Sequence, residues 1–232
     1  MPRGLAAIAV VSLAATVSAR EPPPLDRVVH NFQMPAALPP CGLATAVYDL
    51  ARKAGLQVGF ERAAGCTGAA SFPKLDRTAA TDAEAGLKAS DVLDRLLTLA
   101  PEYAWLDMNG VAVIRPRSAW TDPNNALNVR IPAFHAADVS IGQMLATILD
   151  LPGRVGGDGR RFSVDFAGGT IPEALNAIVR TQPSAIWSVS LLVHQSPTGE
   201  DRNPGFTIQL LTLPDGPGVG MSTPLPRLLA RR

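Results

Sequence analysis

The chain has 232 residues, with 21 Lys and Arg against 20 Asp and Glu and a formal net charge of +1. So even a balance builds no basic field to hold nucleic acid, and aromatic residues at 5% leave few platforms for stacking bases. The sequence contains no nucleophile elbow, phosphate loop, zinc-protease pair or calcium loop, so the reading is of a non-enzyme with no catalytic residues, no cofactor and no metal.

The first 19 residues, MPRGLAAIAVVSLAATVSA, set Arg3 ahead of an apolar run from Leu5 to Val17 and close on Val17-Ser18-Ala19. That is the pattern of a secretory signal peptide cleaved after Ala19. The run falls short of the roughly 20 residues a bilayer crossing needs, and no later segment approaches that length. A periplasmic or secreted chain with no integral membrane segment after cleavage is expected. In such a chain the two cysteines, Cys41 and Cys66, form one disulfide. A redox or metal role would want a CxxC pair or neighbouring histidines.

After the leader, FQMPA at 32–36 reads as a short strand with apolar residues two apart, ended by Pro35. Leu43, Val47, Leu50, Ala51 and Ala54 then form a helical stripe, and Gly55 supplies a stop. LQVGF alternates Leu56, Val58 and Phe60 as a half-buried strand. Residues 63–86, carrying Cys66, read as a long surface loop. Val92, Leu93, Leu96 and Leu97 give a second helical stripe. Lys88 stands where a capping residue belongs, so Ser90 is the expected cap. Asn109-Gly110 tolerates the positive φ of a type I′ turn between strands at 104–107 and 111–114.

The pattern is then written again. DVLDRLLTLAPEYAW at 91–105 aligns with EALNAIVRTQPSAIW at 173–187, placing Asp91 over Glu173, Pro101 over Pro183 and Trp105 over Trp187. Both Trp residues are expected to cover a helix from the core. VRIPA at 129–133 repeats the opening strand. Ile141, Leu145, Ile148 and Leu149 repeat the first helix, and Phe162, Val164 and Phe166 alternate in the middle strand. Ala174, Leu175, Ile178 and Val179 repeat the second stripe behind a capping box, Thr170-Ile171-Pro172-Glu173. AIWSVSLLV and FTIQLLTL are the hairpin strands, joined by the polar loop HQSPTGEDRNPG. The fold class expected is α+β: two tandem small domains at 28–117 and 128–213, each a short mixed sheet packed with two helices. A linker at 118–127 joins them, and a Pro- and Gly-rich tail at 214–232 reads as disordered.

The remaining polar candidates read as bland. His30, His135 and His194 lie at element edges with no nucleophile beside them. Glu200 and Asp201 are solvated charges in a loop. GRVGGDG at 153–159 neither follows a strand nor opens a helix, so it cradles no phosphate.

Met34-Pro35-Ala36, Ala54-Gly55-Leu56-Gln57-Val58, the Leu-rich stretch at 93–97 and the closing Val111–Ile114 together resemble the short N-terminal domain of secretins and TonB-dependent outer-membrane receptors. The resemblance spans roughly residues 30–116 and, more loosely, 128–212, where Ile131-Pro132-Ala133 repeats the opening. The loop carrying Cys66 departs from the family pattern. The resemblance implies a small αβ fold and protein–protein contacts in the envelope. The function expected is a non-enzymatic interaction module docking an envelope protein through an exposed sheet edge, its partner-binding residues unassigned. The alternative is a small-ligand binder, with the ligand held between the two copies or under the long loops.

Overall fold

The apolar stripes become helices where the sequence also provides an ending. Leu43–Ala54 is α1. Its stripe is buried along its whole length, and Gly55 closes it at φ 63°, a left-handed conformation glycine enters freely. The computed structural model describes residues 23–30, 32–66, 86–149, 161–182, 185–192, 205–212 and 219–224. After α1 come β1 (Gln57–Glu61), α2 (Ala89–Thr98), β2 (Tyr103–Asp107), β3 (Val111–Pro116), β4 (Arg130–Ile131) and β5 (Phe134–Ser140). The second half continues with α3 (Ile141–Leu149), β6 (Arg161–Phe166), β7 (Gly169–Thr170), α4 (Ile171–Arg180), β8 (Ala185–Leu192), β9 (Gly205–Thr212) and β10 (Val219–Pro224).

The α+β class is as expected, but the expectation of a separate sheet for each copy is not met. One six-stranded sheet runs β10-β9-β8-β1-β3-β2 and draws strands from both halves. β1 is the reason. It pairs parallel with β3 on one side, Val58 opposite Ala112, and parallel with β8 on the other, Val58 opposite Ile186. The two hairpins, β2–β3 and β8–β9, therefore flank a strand contributed by the first half. The second half's own middle strand, β6, pairs instead with β5 in a separate ribbon.

Helices cover both faces of this sheet. Val58, Phe60, Ala112, Ile114 and Ile186 pack with α1 and α2. Val111, Val113, Trp187, Val189, Ile208 and Leu210 pack with α3 and α4. β1 is thus covered on both sides rather than half-buried, as a parallel strand between two helical layers must be. Gly59 has a specific part in this. It sits opposite Trp187 in the parallel register, and a Cβ there would stand 2.2 Å from the indole.

One contact recurs in the two halves. Trp105 Nε1 donates to Asp94 Oδ1 at 2.8 Å, and Trp187 Nε1 donates to Asn176 Oδ1 at 2.7 Å, each acceptor lying 11 residues earlier on the preceding helix. The settings differ in depth. Trp187 is fully buried at the middle of the sheet, whereas Trp105, on the edge strand β2, is partly exposed.

The helix and turn signals differ in how they are met. The capping box of α4 forms, with the Thr170 amide donating to Glu173 Oε2 at 2.6 Å. Asn109 and Gly110 take φ of 59° and 85°, as the hairpin requires. Ser90 does not cap α2, because the helix begins at Ala89 behind Lys88. Ala89 N–H is already satisfied by the carbonyl of Arg27, and Val29 N–H by that of Leu87, so a backbone bridge replaces the side-chain cap. That bridge falls at Val28, opposite Lys88, so 32–36 is not a strand; Phe32 and Met34 are buried there and Pro35 has no N–H to give a ladder. In the second half the matching pair is β4 with β7.

The presumed tail also changes. Val219–Pro224 is β10, paired antiparallel with β9 from Val219 opposite Leu210 to Pro224 opposite Gly205. An edge tolerates the proline at its end. Of the long loops, residues 67–85 and 193–204 lie outside the described residues, as do 153–159, His194, Glu200 and Asp201.

Replacing Gly59 by Ala should lower unfolding free energy by about 1–3 kcal/mol in urea melts, the usual consequence of overpacking a filled interior. Adding Trp187→Phe, which opens space over the same position, should make the two losses less than additive. Full additivity would show that the indole does not press on Gly59.

Candidate functional site

β1, β3 and β8 run parallel, so their carboxyl ends meet at one margin of the sheet. From β1 the chain goes to α2 on one face. From β3 it crosses back to α3 and α4 on the other before reaching β8. Connections that part to opposite faces leave a crevice beyond the strand ends, the position at which open αβ sheets hold ligands. A cleft of about 530 Å³ lies there, lined by Glu61 and Arg62 from the end of β1, by Val189 of β8 and by the segment that follows β3.

That segment reads in sequence as a linker, yet a buried guanidinium pins it. Arg115 continues the inward alternation of Val111 and Val113 and is only 3% exposed. Its Nε donates to Glu61 Oε2, Nη1 to Asn128 Oδ1 at 2.9 Å and Nη2 to Asn125 Oδ1 at 3.2 Å. The Trp120 ring lies over the guanidinium, 5.0 Å from carbon to centroid. Asn125 Nδ2 donates to the other Glu61 oxygen at 2.7 Å, and its Oδ1 also receives the Leu127 amide. Asn128 Nδ2 donates to the carbonyls of Ala119 and Asp122. Residues 117–128 are thereby fastened as a rigid wall, with Ala119, Ala126 and Leu127 buried.

Both tyrosines of the chain lie at this end. Burial pushes the Tyr48 hydroxyl above its ordinary range, with Ser188 and Arg62 pulling the other way. Burial likewise raises Tyr103, against the Ala63 amide that donates to its hydroxyl at 2.8 Å. The Tyr103 ring stacks on Phe60. The Cys41–Cys66 disulfide forms as expected, with Cα atoms 5.4 Å apart, and ties the start of α1 to the chain leaving β1. Closing a loop of 25 residues stabilises by about 3.5 kcal/mol on the chain-entropy model.

The other sequence candidates do not converge here. His30 is exposed. His135, also exposed, pairs with Asp165 on the β5–β6 ribbon. Among the described residues, no group of three or more His, Cys, Asp or Glu is placed to hold a metal. None of their helices is long and apolar enough to cross a membrane. Sequence reasoning missed Arg115, Glu61, Asn125 and Asn128. The usable signal was Arg115 itself, the third inward position of an otherwise apolar strand. No family model, curated protein or solved structure matches this chain.

Two outcomes follow from this geometry. Arg115→Ala strands the Glu61 carboxylate and should destabilise by about 3–5 kcal/mol, whereas the paired Arg115→Met, Glu61→Leu change should lose much less; urea melts distinguish them. The tyrosines give a pH dependence whose sign is fixed. Their folded pKa values lie above the free value of about 10, so the stability they contribute is complete below pH ~10 and is lost as pH rises through the folded values. Absorbance at 295 nm should show little tyrosinate at pH ~10 in native protein and substantial ionisation in urea-unfolded protein.

Proposed function

We propose that this protein is a non-catalytic, extracytoplasmic interaction module that accepts an extended segment of an envelope protein along β2. The supporting observation is the state of that strand. β2 ends the sheet on the side away from β10. The bonds from Arg117 N to Glu102 O and from Met108 N to Val111 O mark the paired positions of the ladder with β3. By alternation the backbone groups of Trp105 and Asp107 turn outward, without a strand partner among the described residues. Leu106 is 53% exposed, one of the two large apolar side chains standing clear of the core among the described residues. Natural edges are usually blunted by Lys, Pro or a bulge, and YAWLD has none of these. Such an edge suits strand addition, in which backbone bonds give affinity and alternate side chains give selectivity.

The leader-like first 19 residues and the disulfide support a location outside the cytoplasm. The resemblance to the short N-terminal domain of secretins and TonB-dependent receptors supports an envelope partner within that location. A photo-crosslinking amino acid at position 106, in cells that make the protein, should yield one discrete adduct with an envelope protein. Leu106→Lys should leave unfolding free energy within about 0.5 kcal/mol and abolish co-purification of that partner. Equal recovery of the partner with the Lys variant would overturn docking at β2.

A further inference from the structure

We infer that the cleft at the carboxyl ends of β1, β3 and β8 is a binding site for a compact organic cation, an amine on an apolar body. This goes beyond the edge-strand reading and does not rest on it. The first ground is placement: the cleft lies where the connections leaving β1 and β3 diverge to opposite faces, and its wall is held rigid by the Arg115 network rather than left as a loose connection. The second is size. At about 530 Å³ it falls within the range of small-molecule pockets.

The third ground is the chemistry of the lining. Ala119, Ala126, Leu127 and Val189 reach the cleft while being almost fully buried in the protein, which gives it an apolar floor. The charges above that floor are unequal. Arg115 and Asn125 already occupy both Glu61 oxygens. Arg62 lies beside the Tyr48 hydroxyl and acts on it electrostatically. Glu102 and Asp122 are exposed at the rim. Glu102 makes no side-chain hydrogen bond or ion pair among the described residues, and Asp122 uses one oxygen to accept the Asn124 amide. Two carboxylates with accepting capacity over an apolar floor suit an ammonium group with a hydrocarbon body and disfavour an anion of the same shape.

The test uses the mature protein and three matched probes, 2-phenylethylamine, 2-phenylethanol and phenylacetate, by calorimetric titration and thermal shift. The amine should bind about ten-fold or more tightly than the alcohol, and phenylacetate should bind weakest. The double variant Glu102→Gln, Asp122→Asn should keep its melting temperature and bind amine and alcohol alike. Because both residues are exposed, the variant is expected to fold; Ser118→Trp, which fills the cleft mouth from a rim position, should abolish amine binding as an independent check. Equal binding of all three probes, preference for phenylacetate, absence of binding, or amine binding unchanged in these variants would each overturn the assignment.

Discussion

β1 is hydrogen-bonded along both edges and covered on both faces, and both halves of the molecule depend on that arrangement. Its five residues pair with one strand from each half, so the layer under α1 and α2 is the same layer that supports α3 and α4. Such a strand can expose neither side to water and must be apolar throughout, apart from its ends. Gln57 at one end donates to the carbonyls of Val179 and Gln182, and Glu61 at the other enters the Arg115 network. Between them, glycine at position 59 is dictated by the ring lying against it. At that position the two halves meet backbone against indole.

The matched contacts of Trp105 and Trp187 differ in depth and in the chemistry of the acceptor. At the rim the acceptor is Asp94, which is exposed. In the interior the acceptor is Asn176, 1% exposed. A carboxylate enclosed there would need an ionic partner to offset its desolvation, whereas a neutral amide accepts the same indole proton without one.

Much of the local structure was legible in the chain. α1 and α4 followed from stripes of apolar residues with a glycine stop or a capping box, α2 from its stripe alone, and the first hairpin from Asn109-Gly110, because these signals act within a few residues. What periodicity does not encode is which strand lies beside which. Leu56, Val58 and Phe60 alternate identically in an edge strand and a central one, so the shared sheet was hidden. β10 was hidden by its prolines and glycines, whose average preference yields to the bonds offered by β9. The site was the least legible part. Asn125 and Asn128 have the composition of a turn, and only the inward position of Arg115 gives them a partner.

Pairing Val58 with Ile186 has a consequence for the order in which the molecule is assembled. The strand that completes the central layer arrives only once residues 185–192 have emerged, so until then β1 carries one bare edge and α1 and α2 sit on an unfinished floor. A chain with such distant pairings folds slowly and is open to mispairing in the interval. The Cys41–Cys66 link lies wholly within the first half, and it ties that strand to α1 without any contribution from β8.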